Sequence, residues 1–229
     1  MTDADFAEQR RLMLVEIAAT TIYTSAQIGK AALAPRVLDV LGKVPRHEFV
    51  PVELQRYAYA NTPLPIGFGK TISQPFIVAL MTDLLQPAPA DRVLEIGTGM
   101  GYQAAILAEL VARVYTIELI EELAAMARQR LARRGYTNIE MRTGNGAFGW
   151  PAHAPYDKII VTAAPELIPP ALLYQLKPGG RMVIPAGLPD AQQLILVEKD
   201  AAGVVATREV LPVRFSMLED SEPDSARPS

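Results

Sequence analysis

Val93-Leu94-Glu95-Ile96-Gly97-Thr98-Gly99-Met100-Gly101-Tyr102-Gln103 is the stretch on which the fold turns. An apolar strand runs into three glycines at alternate positions, and helical spacing of apolar residues begins at Tyr102. Glycines let the backbone turn sharply and approach a ligand with no side chain in between. The spacing Gly97-x-Gly99-x-Gly101 is one residue tighter than the dinucleotide pattern Gly-x-Gly-x-x-Gly, which suits a nucleoside with no pyrophosphate to hold at the helix N-terminus. The candidate cofactor-binding residues here are Glu95, Gly97, Thr98, Gly99, Gly101 and Gln103. Glu95 is expected to meet a cationic part of the cofactor. Glu118 closes the next strand, where a carboxylate can accept bonds from both ribose hydroxyls. Each feature alone has a plainer reading, a strand-to-helix connection for the glycines and a solvated strand end for Glu118. In register, they read as a cofactor site.

Outward from this stretch the pattern is regular. Helices are expected at 76–85, 102–112 and 121–133, and strands at 92–96, 114–118, 139–142, 158–162, 181–185, 193–198 and 205–213. Apolar strands joined by helices give an α/β fold, a doubly wound and mostly parallel sheet covered on both faces. The last strands have little helix between them and are expected to be antiparallel. Upstream, Phe6, Leu12, Met13, Leu14 and Ile17, then Val37, Leu38, Val40 and Leu41, form a helical N-terminal appendage. A proline-punctuated stretch from Val44 to Gly67 winds over the core. The expected division is residues 1–75 as a substrate-side segment, 76–218 as the cofactor-binding core and 219–229 as a disordered tail.

Composition narrows the function. Twenty-two Lys plus Arg against 25 Asp plus Glu give a net charge of -3 with no basic run, so nucleic acid is not the expected partner. With no cysteine, disulfides, thiolate catalysis and cysteine-ligated metals are excluded, and a cytoplasmic location is expected. No apolar stretch approaches the roughly 20 residues of a membrane span, and no metal is expected.

Two further stretches bear on ligands. Gly144-Asn145-Gly146 follows a strand and can contact adenine through an amide, or serve only as the turn that Asn-Gly favours. Asp157 to Ala164 reads as a buried strand whose small residues leave room at its C-terminal end, the usual ligand position in open α/β sheets.

Leu94 to Gly99, Gly101-Tyr102-Gln103, Lys177-Pro178-Gly179-Gly180-Arg181 and above all Gly69-Lys70-Thr71-Ile72-Ser73-Gln74-Pro75 resemble the protein-L-isoaspartate O-methyltransferases. Val44-Pro45-Arg46-His47-Glu48-Phe49-Val50-Pro51 and Leu211-Pro212-Val213-Arg214-Phe215 extend the resemblance to about residues 6–218. It implies a Rossmann-like, seven-stranded class I methyltransferase with S-adenosyl-L-methionine as methyl donor. The acceptor it implies is the α-carboxyl of isoaspartyl residues in damaged proteins. It also implies that Thr71, Ile72 and Ser73 border donor and acceptor, that Glu118 holds the ribose, that Asn145 and Gly146 meet adenine, and that Val213 contacts the peptide. The chain departs from the family pattern at Asn145, usually Asp, at Lys70, usually neutral, and in a longer stretch from Ile17 to Pro35.

A carboxylate is already ionised at neutral pH and needs no general base, so catalysis is expected to be positioning. The Ser73 hydroxyl is the candidate catalytic group, with a turn-capping serine as the alternative. His47 and His153 sit beside prolines and are expected to be structural. Two other functions fit the cofactor motifs: a same-fold methyltransferase acting on a different carboxylate or small molecule, and a catalytically inactive cofactor-binding module.

Overall fold

Alternation of helix and strand builds a three-layer molecule. A computed structural model describes residues 2–219; of the expected tail, only Glu219 lies within that range. The N-terminal helices are α1 (Asp3–Tyr23), α2 (Ser25–Ile28) and α3 (Pro35–Lys43). A hairpin of β1 (Leu64–Gly67) and β2 (Lys70–Ile72) follows, and then α4 (Pro75–Leu85). The core runs β3 (Arg92–Ile96), α5 (Tyr102–Ala108), β4 (Arg113–Glu118), α6 (Glu121–Arg133), β5 (Ile139–Thr143) and β6 (Tyr156–Val161). It closes with α7 (Pro170–Gln175), β7 (Leu176–Leu188), β8 (Ala191–Lys199) and β9 (Val205–Val213).

Local chemistry accounts for these elements. Prolines open α3, α4 and α7, where a missing N–H costs nothing. In α6, Leu123, Ala127 and Leu131 bury one stripe, while Glu121 and Glu122 in the first turn and Arg130 and Arg133 in the last complement the helix dipole. Helix α5 stops at Ala108, four residues short of the expected end. The Asn138 amide there takes up the carbonyls of Ala108 (2.9 Å) and Val111 (3.2 Å), supplying partners that a further helical turn would have provided.

The strand order is β5-β4-β3-β6-β7-β8-β9, parallel from β5 to β7 and antiparallel at β7–β8 and β8–β9, as expected. The chain order reverses between β3 and β6, and this switch point opens a crevice at the C-terminal ends of the strands. Phe6, Met13, Val37 and Leu41 of the N-terminal helices belong to the same apolar core as Val93 and Val114 of the sheet. Buried Asp83 on α4 reinforces the docking. Its carboxylate accepts the Ala34 N–H at 2.7 Å and pairs with Lys30.

The β1–β2 hairpin was expected only as winding chain. Its two-residue turn, Phe68-Gly69, has φ of 53° and 68°, and the antiparallel pairing of Leu64 with Ile72 carries Thr71, Ile72 and Ser73 to the mouth of the crevice.

Candidate active site

The crevice is a cleft enclosing about 910 Å³ of space, open solvent at its mouth included. Its floor is the glycine turn after β3 together with the end of β4. Ile66, Ile72, Val78, Met100 and Leu123 give it apolar walls. Of the residues expected at the site, Thr71, Ile72, Ser73, Gly97, Thr98, Gly99, Gln103, Glu118 and Gly146 all line it.

The turn is held from several sides. Gly97 has φ 93°, and a Cβ there would lie 2.5 Å from Thr162 Oγ1, whose hydroxyl donates to the Gly97 carbonyl at 2.6 Å. Beneath the turn the Thr98 and Thr116 hydroxyls are bonded at 2.6 Å. Glu118 Oε2 accepts the Gly99 N–H at 2.7 Å, and Oε1 accepts the Ile120 N–H at 3.0 Å. Burial pushes this carboxyl above the usual range, while the backbone bonds from Ile120 and Gly99 pull it back. Each oxygen keeps lone-pair capacity, so a vicinal diol in the cleft finds acceptors. Gln103 is fixed by donating to Thr82 Oγ1 at 3.0 Å. Ser73 does not cap α4, whose first turn has no side-chain cap, so its hydroxyl is available to a ligand.

Four expected contacts fall outside the lining. Glu95 is fully buried beneath the sheet end. Ile96 faces the cleft, so pleating turns its neighbour away. The Glu95 carboxyl is pushed up to about 8 by burial, which favours its uncharged form, against a bond from the Thr116 hydroxyl. Gly101 shapes the loop from behind: at φ 95° it opens α5, and a Cβ there would lie 3.2 Å from Leu131. The Asn145 side chain accepts the Ala147 N–H at 2.8 Å, capping a short 3-10 turn, while its neighbours Gly144 and Gly146 meet the cleft. Val213 ends β9 paired with Gln192 and packs half-buried on the apolar core.

The chain enters the cleft three residues after Val213, through Ser216, Met217, Leu218 and Glu219, which sequence reading missed. Gln192 places this segment by accepting the Phe215 N–H at 2.6 Å and donating to its carbonyl at 3.1 Å. The Ala164 backbone bonds it on both sides. Glu219 then pairs with Lys70 across the mouth at 2.5 Å. The histidines serve packing. His47 stacks on Phe6 with centroids 3.8 Å apart, and His153 stacks on Tyr115 at 4.3 Å while meeting Glu140.

A glycine-rich turn, a carboxylate placed for a diol and apolar walls fit a nucleoside whose sugar carries no phosphate there. With the switch-point sheet they define a class I, S-adenosylmethionine-dependent methyltransferase. Residues 23–223 match the sequence model of the protein-L-isoaspartate(D-aspartate) O-methyltransferase family, and the chain belongs to that family. It is 68% identical over 223 residues to protein-L-isoaspartate O-methyltransferase 1 of Polaromonas sp., covering 97% of this chain and 94% of that one. It is 58% identical to protein-L-isoaspartate O-methyltransferase 2 of Syntrophobacter fumaroxidans, covering 94% and 88%. Among solved structures, a protein-L-isoaspartate O-methyltransferase superposes with a TM-score of 0.77 at 26% identity, covering 91% of this chain, which spans 65% of that one. A Plasmodium falciparum protein described as such an enzyme, in complex with S-adenosyl-L-homocysteine, shares the fold at 20% identity with a TM-score of 0.72, covering 90% and 98%.

Proposed function

We propose that the cleft seats S-adenosyl-L-methionine with its ribose on Glu118, and that Ser73 receives the α-carboxylate of an isoaspartyl residue in a damaged protein, the methyl ester being the first step of repair. The observation that carries this reading is that buried Glu118, at the end of β4, and Thr71, Ile72 and Ser73, at the end of the β1–β2 hairpin, line one and the same cleft. The bound donor supplies a methyl carbon activated by a positively charged sulfur. The protein's task is to orient and to exclude water. The acceptor carboxylate is ionised at neutral pH, so no base is required. The Ser73 hydroxyl donates to one acceptor oxygen and leaves the other directed inward. The apolar walls keep water off the reacting atoms, and alignment of this kind is worth about 7–11 kcal/mol.

In the same reading, Gly97, Thr98, Gly99 and Gln103 form the donor cradle, Gly146 borders adenine, and residues 1–75 supply the substrate side of a core spanning 76–218. The partner is a protein or peptide rather than nucleic acid, and the setting proposed is the cytoplasm, which cell fractionation tests. The activity test is incubation with labelled S-adenosylmethionine and paired peptides that differ only in an isoaspartyl or aspartyl linkage. Label on the isoaspartyl peptide alone is expected. Donor binding without transfer supports the inactive module instead, and label on other metabolites but neither peptide supports the small-molecule enzyme.

A further inference from the structure

Arg46 is 0% exposed, and none of the ion pairs among the described residues includes it. A buried cation without a carboxylate is costly, and an apolar side chain of equal volume would fill the space without that cost. What the guanidinium adds is two fixed bonds and an aromatic contact. Nε donates to the Ala58 carbonyl at 2.7 Å, and Nη2 donates to the Ser73 carbonyl at 2.6 Å. The Cζ atom lies 5.0 Å from the centroid of the Tyr102 ring. Nη1 and the Tyr102 hydroxyl, both buried, have no hydrogen-bond partner.

The elements joined are the two halves of the cleft. Ser73 lies between β2 and α4 on the acceptor edge, and Tyr102 opens α5 directly after the glycine turn. Both line the cleft. The one-turn helix Arg46–Phe49 puts a rigid fork between them, and Phe49 packs on the same Tyr102 ring at 5.7 Å. A planar guanidinium can hold a carbonyl and an aromatic face at a set separation; an ammonium on a flexible stem cannot.

We propose that Arg46 is a positioning residue for methyl transfer, fixing the Ser73 backbone at a set distance from the donor loop so that the Ser73 hydroxyl meets the acceptor carboxylate in line. The proposal rests on the reading of Ser73 as the acceptor contact. It acts on the separation between subsites and leaves the donor cradle, built on Glu118 and Gly99, as it is.

Arg46→Lys keeps the charge and loses the fork, and Arg46→Met loses both. With saturating donor and isoaspartyl peptide, single-turnover transfer in both variants is expected to fall about 100-fold, the loss that a misplacement near 1 Å brings. Affinity for S-adenosylhomocysteine, measured by calorimetry, is expected to stay at the wild-type value, which also reports that each variant is folded. If Arg46→Met does not fold, Arg46→Lys carries the test. Combined with Ser73→Ala, Arg46→Lys is expected to add no further loss, because both act on one contact. Wild-type transfer in Arg46→Lys, a fall in donor affinity parallel to the fall in rate, or losses that add to those of Ser73→Ala would each overturn the proposal. Ser73→Ala alone, with Arg46 intact, reports separately on Ser73: a wild-type rate there sinks the acceptor reading itself.

Discussion

Glu118, the last residue of β4, holds Gly99 in the turn after β3 through a 2.7 Å bond from the glycine N–H to its carboxylate. One acid therefore fixes the shape of the loop and faces the position where a ribose is expected, so a change at Glu118 reaches the ligand twice, through the lost acceptor and through the relaxed turn.

Glu118→Gln retains one acceptor oxygen, but its amide nitrogen cannot accept either the Gly99 or the Ile120 N–H. Loss of a bond to a charged group costs about 1.5–3 kcal/mol, which corresponds to roughly 10- to 100-fold weaker binding. Calorimetric titration with S-adenosylhomocysteine measures it, and unchanged affinity would remove Glu118 from the donor site.

Gly97→Ala puts a methyl group 2.5 Å from Thr162 Oγ1 at a φ of 93°. Backbone strain alone costs about 1–3 kcal/mol, and the hydroxyl it strikes is bonded to the Gly97 carbonyl. Thermal unfolding is expected to show a lowered midpoint together with loss of donor binding. A variant that keeps both would mean that the turn does not need glycine.

Glu95→Gln addresses pH dependence. The folded carboxyl is raised to about 8 from an ordinary 4.5, so between these values the native chain holds a proton that the unfolded chain has lost. Stability contributed by this group is present below the lower value and declines as pH rises through the window, by at most about 1.4 kcal/mol per unit. Glutamine does not titrate. Denaturant melts are expected to show the variant gaining on wild type from about pH 5 to about pH 8; parallel curves would mean that Glu95 is not shifted upward.

Asp83→Ala strips the partner from Lys30 and from the Ala34 N–H, which join the N-terminal helices to α4. Lys30 retains some solvent, so the loss is expected at about 2 kcal/mol, below the 3–5 of a fully buried pair. Donor affinity is expected to stay level. A stability change near zero would show that apolar packing alone docks the segment.

Much of this architecture could be read from the chain because its signals are local. The bounds of β3 follow from an apolar run between turn formers, and the glycine turn with Glu118 marked the cleft. The misses have physical causes. The β1–β2 hairpin contains Pro65 and turns at Phe68 with positive φ, both adverse to a strand reading. Ser216 to Glu219 reach the cleft through tertiary bonds to Ala164 and Gln192, which no spacing encodes. Asn145 satisfied its local turn preference by capping the Ala147 N–H. The orientation of Glu95 followed from strand parity, since neighbours on a strand face opposite sides and Ile96 faces the cleft.

The proposed separation of donor and acceptor within one cleft is tested most directly by a paired measurement on Ser73→Ala and Glu118→Ala. Turnover on an isoaspartyl peptide and affinity for S-adenosylhomocysteine are read for each variant. Ser73→Ala is expected to lose about 100-fold in turnover with donor affinity intact, and Glu118→Ala is expected to lose donor affinity first. Parallel losses of both quantities in both variants, or a Ser73→Ala enzyme with wild-type turnover, would contradict it.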